Sequence, residues 1–222
     1  MENDMKQLKS LFKSVSLLVL TSVFATSAYA GGAKYEVTVT NLTKSIAFTP
    51  IMVAAHHQNV PLFELGSQAS DAVSAVAEGG DTSGIAAMFT NPYDQVSSTA
   101  GLLMAGQSAT VSFEGLGRHS RFSVASMLLP TNDAFVAAQS VRPPKRGSKT
   151  FYLRAYDAGT ETNDELCSSI PGPQCGGEPF SPNDSGEGFV YVHSGIHGIG
   201  DLSASQYTWN NPVLKVTITR VK

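Results

Sequence analysis

Two segments near opposite ends of the chain are written in the same two-residue period. Tyr35, Val37 and Val39 alternate with Glu36, Thr38 and Thr40, and Leu214, Val216 and Ile218 alternate with Lys215, Thr217 and Thr219. Successive side chains of an extended chain point to opposite faces, so each segment is a strand with one apolar and one polar side. Such a strand needs partners in a sheet and a second layer against its apolar face. Ala109, Val111 and Phe113, alternating with Thr110, Ser112 and Glu114, repeat the pattern, while Phe122 to Leu129 is apolar on both faces, as in a central strand. Ile46 to Ala55, Thr150 to Tyr156 and Gly188 to His193 bring the expected strands to at least seven. Turns rich in Gly, Pro and Asn separate them, which predicts an all-β fold: an antiparallel sandwich or barrel.

One stretch follows a different period. Ala69, Ala72, Val73 and Val76 recur at helical spacing within Ser67 to Glu78, with Ser67 or Ser70 available as a cap and Gly79-Gly80 as a stop. Asp81-Thr82-Ser83 can cap a second short helix running to Phe89. The expectation is a small helical insertion lying across one end of the sandwich. Residues 157–187 form the longest irregular stretch, and loops of that length are commonly functional.

Residues 1–30 read as a cleaved secretory signal rather than as part of the fold. Lys6, Lys9 and Lys13 supply a positive start, Val15 to Phe24 an apolar core, and Ala28-Tyr29-Ala30 a small-x-small cleavage site. The apolar core is shorter than the roughly 20 residues of a membrane span, and no later segment is apolar enough to cross a bilayer. Residues 31–222 are then read as a single domain in a secreted or periplasmic protein. Fifteen Lys and Arg against 18 Asp and Glu, with the only basic run at Arg142 to Lys149, leave no electrostatic footprint for nucleic acid. Cys167 and Cys175 are the only cysteines, and a pair in an exported chain favours a disulfide, here expected to staple a surface loop of Ser, Pro and Gly residues.

The chemistry concentrates where strands stop. Leu129-Pro130-Thr131-Asn132-Asp133-Ala134-Phe135-Val136 and Phe151-Tyr152-Leu153-Arg154-Ala155-Tyr156-Asp157-Ala158-Gly159-Thr160-Glu161 each run from apolar residues into a turn that carries a carboxylate. Loops that aim several carboxylate oxygens at one point suit a hard cation such as Ca²⁺. Asp157, Glu161, Asp164 and Glu165 would repel one another if they converged without a cation, and they read equally as a solvated acidic turn. The spaced Asp pattern of an EF-hand is absent, as are a Gly-x-Ser-x-Gly nucleophile elbow and a phosphate loop. His56, His193 and His197 could instead form a transition-metal site in an envelope enzyme. In an extended strand, however, His193 and His197 would stand about 13 Å apart, and only a bend at Gly195 would join them.

Tyr156-Asp157-Ala158-Gly159-Thr160-Glu161 resembles the Tyr-Asp-Ala-Gly-Thr-Asp element of the spondin N-terminal domain family of F-spondin and mindin. Leu129 to Val136 resembles that family's Pro-Ser-Pro-Asp-Trp-Phe-Val segment, and Asn211 to Arg220 is similar to its closing strand. Phe63-Glu64-Leu65-Gly66 through Ala77-Glu78-Gly79-Gly80 looks like the helical insertion of its bacterial single-domain members. The resemblance implies a C2-like antiparallel β-sandwich with Ca²⁺ held by loop carboxylates at one end. Carried over by position, the metal ligands are Asp133, Asp157 and Glu161, and nearby Asn163 and Asp164 could substitute for Glu161 or add an oxygen. Glu161 stands where the animal proteins have Asp, and Ala134 where they have Trp. The implied function is an exported Ca²⁺-binding adhesion or recognition module, not an enzyme, whose partner is an extracellular or envelope protein or glycan. Its rivals are the His56/His193/His197 metalloenzyme and a structural envelope protein without a site.

Overall fold

In the computed structural model, which describes residues 32–181 and 185–221, the alternating segments pair as two antiparallel sheets. The expected signal, residues 1–30, lies outside the described residues. In chain order the elements are β1 (Ala33–Asn41), β2 (Ala47–Phe48), β3 (Met52–His56), α1 (Asp71–Gly79), α2 (Ser83–Ala86), β4 (Gln95–Ser98), β5 (Ser108–Leu116) and β6 (Arg121–Leu129). There follow β7 (Ala134–Val141), β8 (Ser148–Leu153), β9 (Tyr156–Asp157), β10 (Tyr191–Val192), α3 (Ala204–Tyr207) and β11 (Leu214–Arg220). The smaller sheet runs β5-β1-β11-β8; the larger runs β10-β9-β7-β6-β3-β4, with β2 paired to one end of β6.

The two-residue period decides which face each strand buries. Val37 and Val39 of β1, Val111 and Phe113 of β5, and Val216 and Ile218 of β11 point into the space between the sheets. They meet Phe122, Val124 and Leu128 of β6, Val53 of β3, and Val136 of β7. Phe48, Phe113 and Phe122 are among the largest fully buried side chains, and truncating one to Ala would cost about 3–5 kcal/mol.

The larger sheet is dry on both faces because the helical insertion covers its outer side. Met52, Ala54, Ala125, Phe135 and Ala137, the alternate residues of β3, β6 and β7, pack against Val73, Val76 and Ala77 of α1 and Ile85 of α2. The insertion therefore lies on a sheet face rather than across one end of the sandwich. Ser70 caps α1 by accepting the Val73 N–H, and Gly80 ends it in the left-handed conformation (φ 69°). Ser67 is not the cap, and α2 stops at Ala86, short of Phe89.

Two expected strands are divided. Ile46 to Ala55 breaks into β2 and β3 at Thr49-Pro50-Ile51, where Pro50 has no N–H to give a ladder. Side chains bridge the gap: Thr49 Oγ1 accepts Met127 N–H at 3.1 Å, and Thr99 Oγ1 accepts Ile51 N–H at 2.9 Å. Thr150 to Tyr156 divides at Arg154-Ala155, so that β8 pairs with β11 in the smaller sheet and β9 with β7 in the larger. Asn211 Oδ1 accepts Ala155 N–H at 2.8 Å where the chain crosses between sheets. This crossing carries Asp157 to the site. Of Gly188 to His193, only Tyr191–Val192 forms a strand, and β4 and β7 add strands beyond those expected.

Candidate metal centre

β9 is only two residues long, yet it lies between two neighbours. Asp157 is in register with Ala134 of β7 on one side and with Tyr191 of β10 on the other. Asp133, which immediately precedes β7, is thereby brought beside Asp157. Asp133 and Asp157 are both fully buried. The Asp-Ala-Gly-Thr turn that follows wraps back over them: Ala158 N–H donates to the Asp133 carbonyl, and Gly159 N–H donates to Asp157 Oδ1 at 2.8 Å. Gly159 has φ 65°, and a Cβ there would collide with the Phe189 backbone, so this position admits only glycine.

The two oxygens of Asp133 have unequal surroundings. Oδ2 accepts Thr160 N–H at 2.8 Å, the Thr160 hydroxyl at 3.2 Å and Glu161 N–H at 3.1 Å. Oδ1 is buried and has no hydrogen-bond donor. Burial first, and the charge of Asp157 second, push the Asp133 carboxyl up to about 7, against the lowering effect of its Thr160 and Glu161 donors. Burial also raises Asp157, opposed by hydrogen bonds from Asn163, Gly159 and Tyr191. Asn163 Nδ2 bridges Asp157 Oδ2 at 2.7 Å and the Tyr191 hydroxyl at 3.1 Å.

Of the expected ligands, then, Asp133 and Asp157 come together and Asn163 touches Asp157. Glu161 is buried beside them and gives its backbone N–H to Asp133, while its Oε1 accepts Ser181 N–H at 2.9 Å. Asp164 is turned elsewhere: its Oδ1 accepts Asn132 Nδ2 at 3.1 Å and Leu166 N–H at 2.9 Å. Among the described residues no group of three or more His, Cys, Asp or Glu side chains converges as a metal's ligands would. What fits a cation here is the donor chemistry: two adjoining buried carboxylates, one with an oxygen that no N–H or O–H reaches.

The histidines do not assemble. His56 is fully buried; its Nδ1 donates to the Gln58 carbonyl at 2.8 Å, and its Nε2 faces Ser123 Oγ at 2.9 Å. Because Ser123 Oγ also accepts Ser140 N–H at 3.0 Å, its own proton goes to His56 Nε2. Burial holds this ring below the ordinary histidine range, and it packs on Phe89 as a neutral core side chain beside the β6–β7 bulge. His193 is also buried, and burial pushes it down to about 4. Its Nδ1 accepts Gly195 N–H at 2.9 Å, which leaves the proton on Nε2, 3.6 Å from Asp157 Oδ2. His197 is exposed and its charge adds to the lowering of His193, but among the described residues the histidines belong to no group of three or more ligating side chains.

Sequence reasoning missed one participant and misjudged the part of one acid it had named. Tyr191 reaches Asp157 only through the β9–β10 register, a pairing between segments more than thirty residues apart that no local pattern announces. Glu165 belonged to the acidic loop but serves another purpose: its carboxylate accepts the N–H groups of His197, Gly198 and Ile199 at 2.6, 2.7 and 3.0 Å. The expected disulfide is present between Cys167 and Cys175. It closes a loop whose Ile170 is fully buried in the main core, so this is an anchored segment rather than a surface loop.

The chain is thus a two-sheet antiparallel β-sandwich with a buried carboxylate pair where strands give way to loops. The chain belongs to the Spondin_N family, whose model matches residues 35–170. The match takes in Asp133, Asp157, Glu161, Asn163 and Asp164 and stops short of Tyr191, His193 and β11. No curated protein matches the chain. The family supports an extracellular recognition or adhesion-type module and is not known as an enzyme family. The disulfide is consistent with secretion, and no helix among the described residues is long and apolar enough to cross a membrane.

Proposed function

We propose that the protein is an exported Ca²⁺-binding β-sandwich that acts as an adhesion or recognition module in the periplasm or outside the cell. The observation that carries the ion is Asp133 Oδ1, a buried carboxylate oxygen without a donor beside a second buried carboxylate. Leaving such an oxygen unsatisfied is costly, and a cation answers both the missing partner and the repulsion between the two acids. Asp133 and Asp157 would hold the ion, and Glu161, buried beside them, would join as the third carboxylate by turning from Ser181 N–H toward it. Ca²⁺ completes its shell with carbonyl and water oxygens, so it does not require every ligand to be acidic. Bound there, the ion would tie the end of β7 to β9 and to the loop that follows. Its part is to stiffen the loops at that end of the sandwich, where a partner would be met.

The test is thermal melting of the purified protein in Ca²⁺ and in chelator. A melting temperature that rises with Ca²⁺, and that loses this response in Asp157→Ala and Asp133→Ala but not in His56→Ala, supports the reading. A melting temperature indifferent to Ca²⁺ and chelator would reject it.

A further inference from the structure

The outer face of the smaller sheet carries a lattice of hydroxyls. Thr150, Thr217, Thr38 and Thr110 lie in one row across β8, β11, β1 and β5, and Tyr152, Lys215, Thr40 and Ser108 lie in the next. Neighbours along a row are joined: Thr38 to Thr110 at 2.8 Å, Thr40 to Ser108 at 2.8 Å and Thr150 to Thr217 at 3.0 Å. A polar outer face is what an antiparallel sheet presents to water by default, so the rows alone specify no partner. The edge where the second row ends adds more. Tyr152, Arg154, Asn211 and Pro212 line a concave site of about 340 Å³.

The groups at that site are donors lacking acceptors. Tyr152 is 58 % exposed, a large ring on the edge strand β8. Arg154 is exposed and forms no ion pair or hydrogen bond among the described residues. Asn211 spends its Oδ1 on Ala155 N–H, which leaves the amide NH₂ as the group it can present. Lys215 is opposite Tyr152 in the register and adds a second positive charge. The acids of this face, Glu36 and Glu114, lie toward its other end, where Glu114 is paired with Lys34 at 2.8 Å.

We infer that this edge of the smaller sheet binds the carboxylated sugars of an acidic polysaccharide. The guanidinium of Arg154 and the amide of Asn211 take the carboxylate, Tyr152 supports the ring, and the hydroxyl rows accept the chain beyond it. A planar guanidinium matches a carboxylate by two parallel hydrogen bonds, and an aromatic ring with one polar end suits the apolar face and polar rim of a sugar. A neutral glycan would leave Arg154 unanswered. A partner that bound by apolar burial would find only one large hydrophobic group, Tyr152, among the side chains named here. The inference rests on the recognition-module reading but not on calcium, because none of these residues belongs to the Asp133/Asp157 site.

The probe is a short oligomer of galacturonic acid, compared with its methyl ester, in titrations of the purified protein by calorimetry. The methyl ester cancels the charge and keeps the ring. The acid form should bind and the ester should bind at least about tenfold more weakly, the loss expected for one good charge-assisted pair. Arg154→Ala and Tyr152→Ala should each weaken binding by roughly tenfold or more, with Arg154→Lys in between because it keeps the charge and loses the fork. Both side chains are exposed, so melting temperatures should be unchanged, and Tyr93→Ala, on a different element, serves as the control. Absence of binding, equal binding of acid and ester, or variants that bind like the native chain would overturn the inference. The Ca²⁺ response of melting, read in the same samples, separates the two proposals. A preserved response without sugar binding removes this inference alone, and sugar binding without a response removes the ion alone.

Discussion

Glu165 and Asp133 are buried to the same depth, 2 % and 0 % exposed, in neighbouring parts of one loop system, yet they are solvated by the protein in opposite ways. Both oxygens of Glu165 are met by backbone N–H groups of residues 197–199. Asp133 has three donors on one oxygen, none on the other, and a second buried acid beside it. The first arrangement is complete without any further group and holds a turn in place. The second is complete only with a proton or a cation. Burial by itself therefore does not separate the two acids; what remains unsatisfied after the backbone has contributed does.

The comparison breaks most readily at Glu165. Glu165→Ala strips the acceptor from three N–H groups, and bonds to a charged acceptor are each worth about 1.5–3 kcal/mol without adding in full, so a loss of about 4 kcal/mol is expected. Denaturant unfolding should show that loss equally with and without Ca²⁺. The ion gives the next largest effect: Ca²⁺ at 100 times its Kd should stabilise the native chain by about 2.7 kcal/mol. Asp133→Asn should abolish that gain. In chelator the same variant should melt at or above the native chain, because it removes a buried like charge and keeps an oxygen for Thr160 and Glu161. Opposite signs for Glu165→Ala and Asp133→Asn in chelator would sharpen the contrast; equal destabilisation would erase it.

A somewhat smaller effect is expected from the tether two residues beyond Glu165. Replacing Cys167 and Cys175 by Ser opens a loop with a sequence separation of 8, and chain entropy sets the loss at about 2 kcal/mol, reduced because Ile170 already pins the loop in the core. The Ca²⁺ response should survive, since the bridge lies outside the carboxylate pair. A double variant that lost the response would show that the ion depends on the whole loop.

The smallest net effect is expected in the native chain's pH profile taken in chelator, because two titrations there oppose each other. Asp133 titrates near 7 when folded and near 3.8 when unfolded, so the folded state holds the extra proton and stability falls as pH rises through that window. His193 titrates near 4 when folded and near 6.5 when unfolded, so here the unfolded state holds the proton and stability rises between those values. The two slopes oppose each other between about pH 4 and 6.5. Urea midpoints should therefore rise more steeply with pH in Asp133→Asn than in the native chain, and fall with pH in His193→Phe. Parallel profiles for all three proteins would show that neither group is perturbed by its surroundings.

The alternating segments of β1, β5 and β11 were legible because the period of a strand is written residue by residue, and the structure places those faces as the alternation demands. Cys167 and Cys175 were legible by elimination, as the only pair in a chain with a signal-like start. The end of α1 at Gly79-Gly80 follows from local backbone chemistry, while the sequence offered Ser67 and Ser70 alike as its cap and the structure uses Ser70. β7 was harder to see: Ala134–Val141 is apolar on both faces, and such a run lacks the alternation that marks a half-buried strand. Its second apolar face has meaning only once α1 is known to lie on the outer side of the sheet.

What the sequence by itself determined is the buried faces of β1, β5 and β11, the stretch that forms α1, and that Asp133 and Asp157 stand at the ends of apolar runs. Tertiary structure alone decided which faces meet and which acids become neighbours. The crossing at Arg154-Ala155, the insertion of β9 between β7 and β10, and the return of residues 197–199 onto Glu165 are all long-range pairings. The physical reason is that alternation reports on burial, a local property of one strand. The compensation of a buried charge depends instead on donors supplied by segments tens of residues away, and these are assembled only when the sheets close.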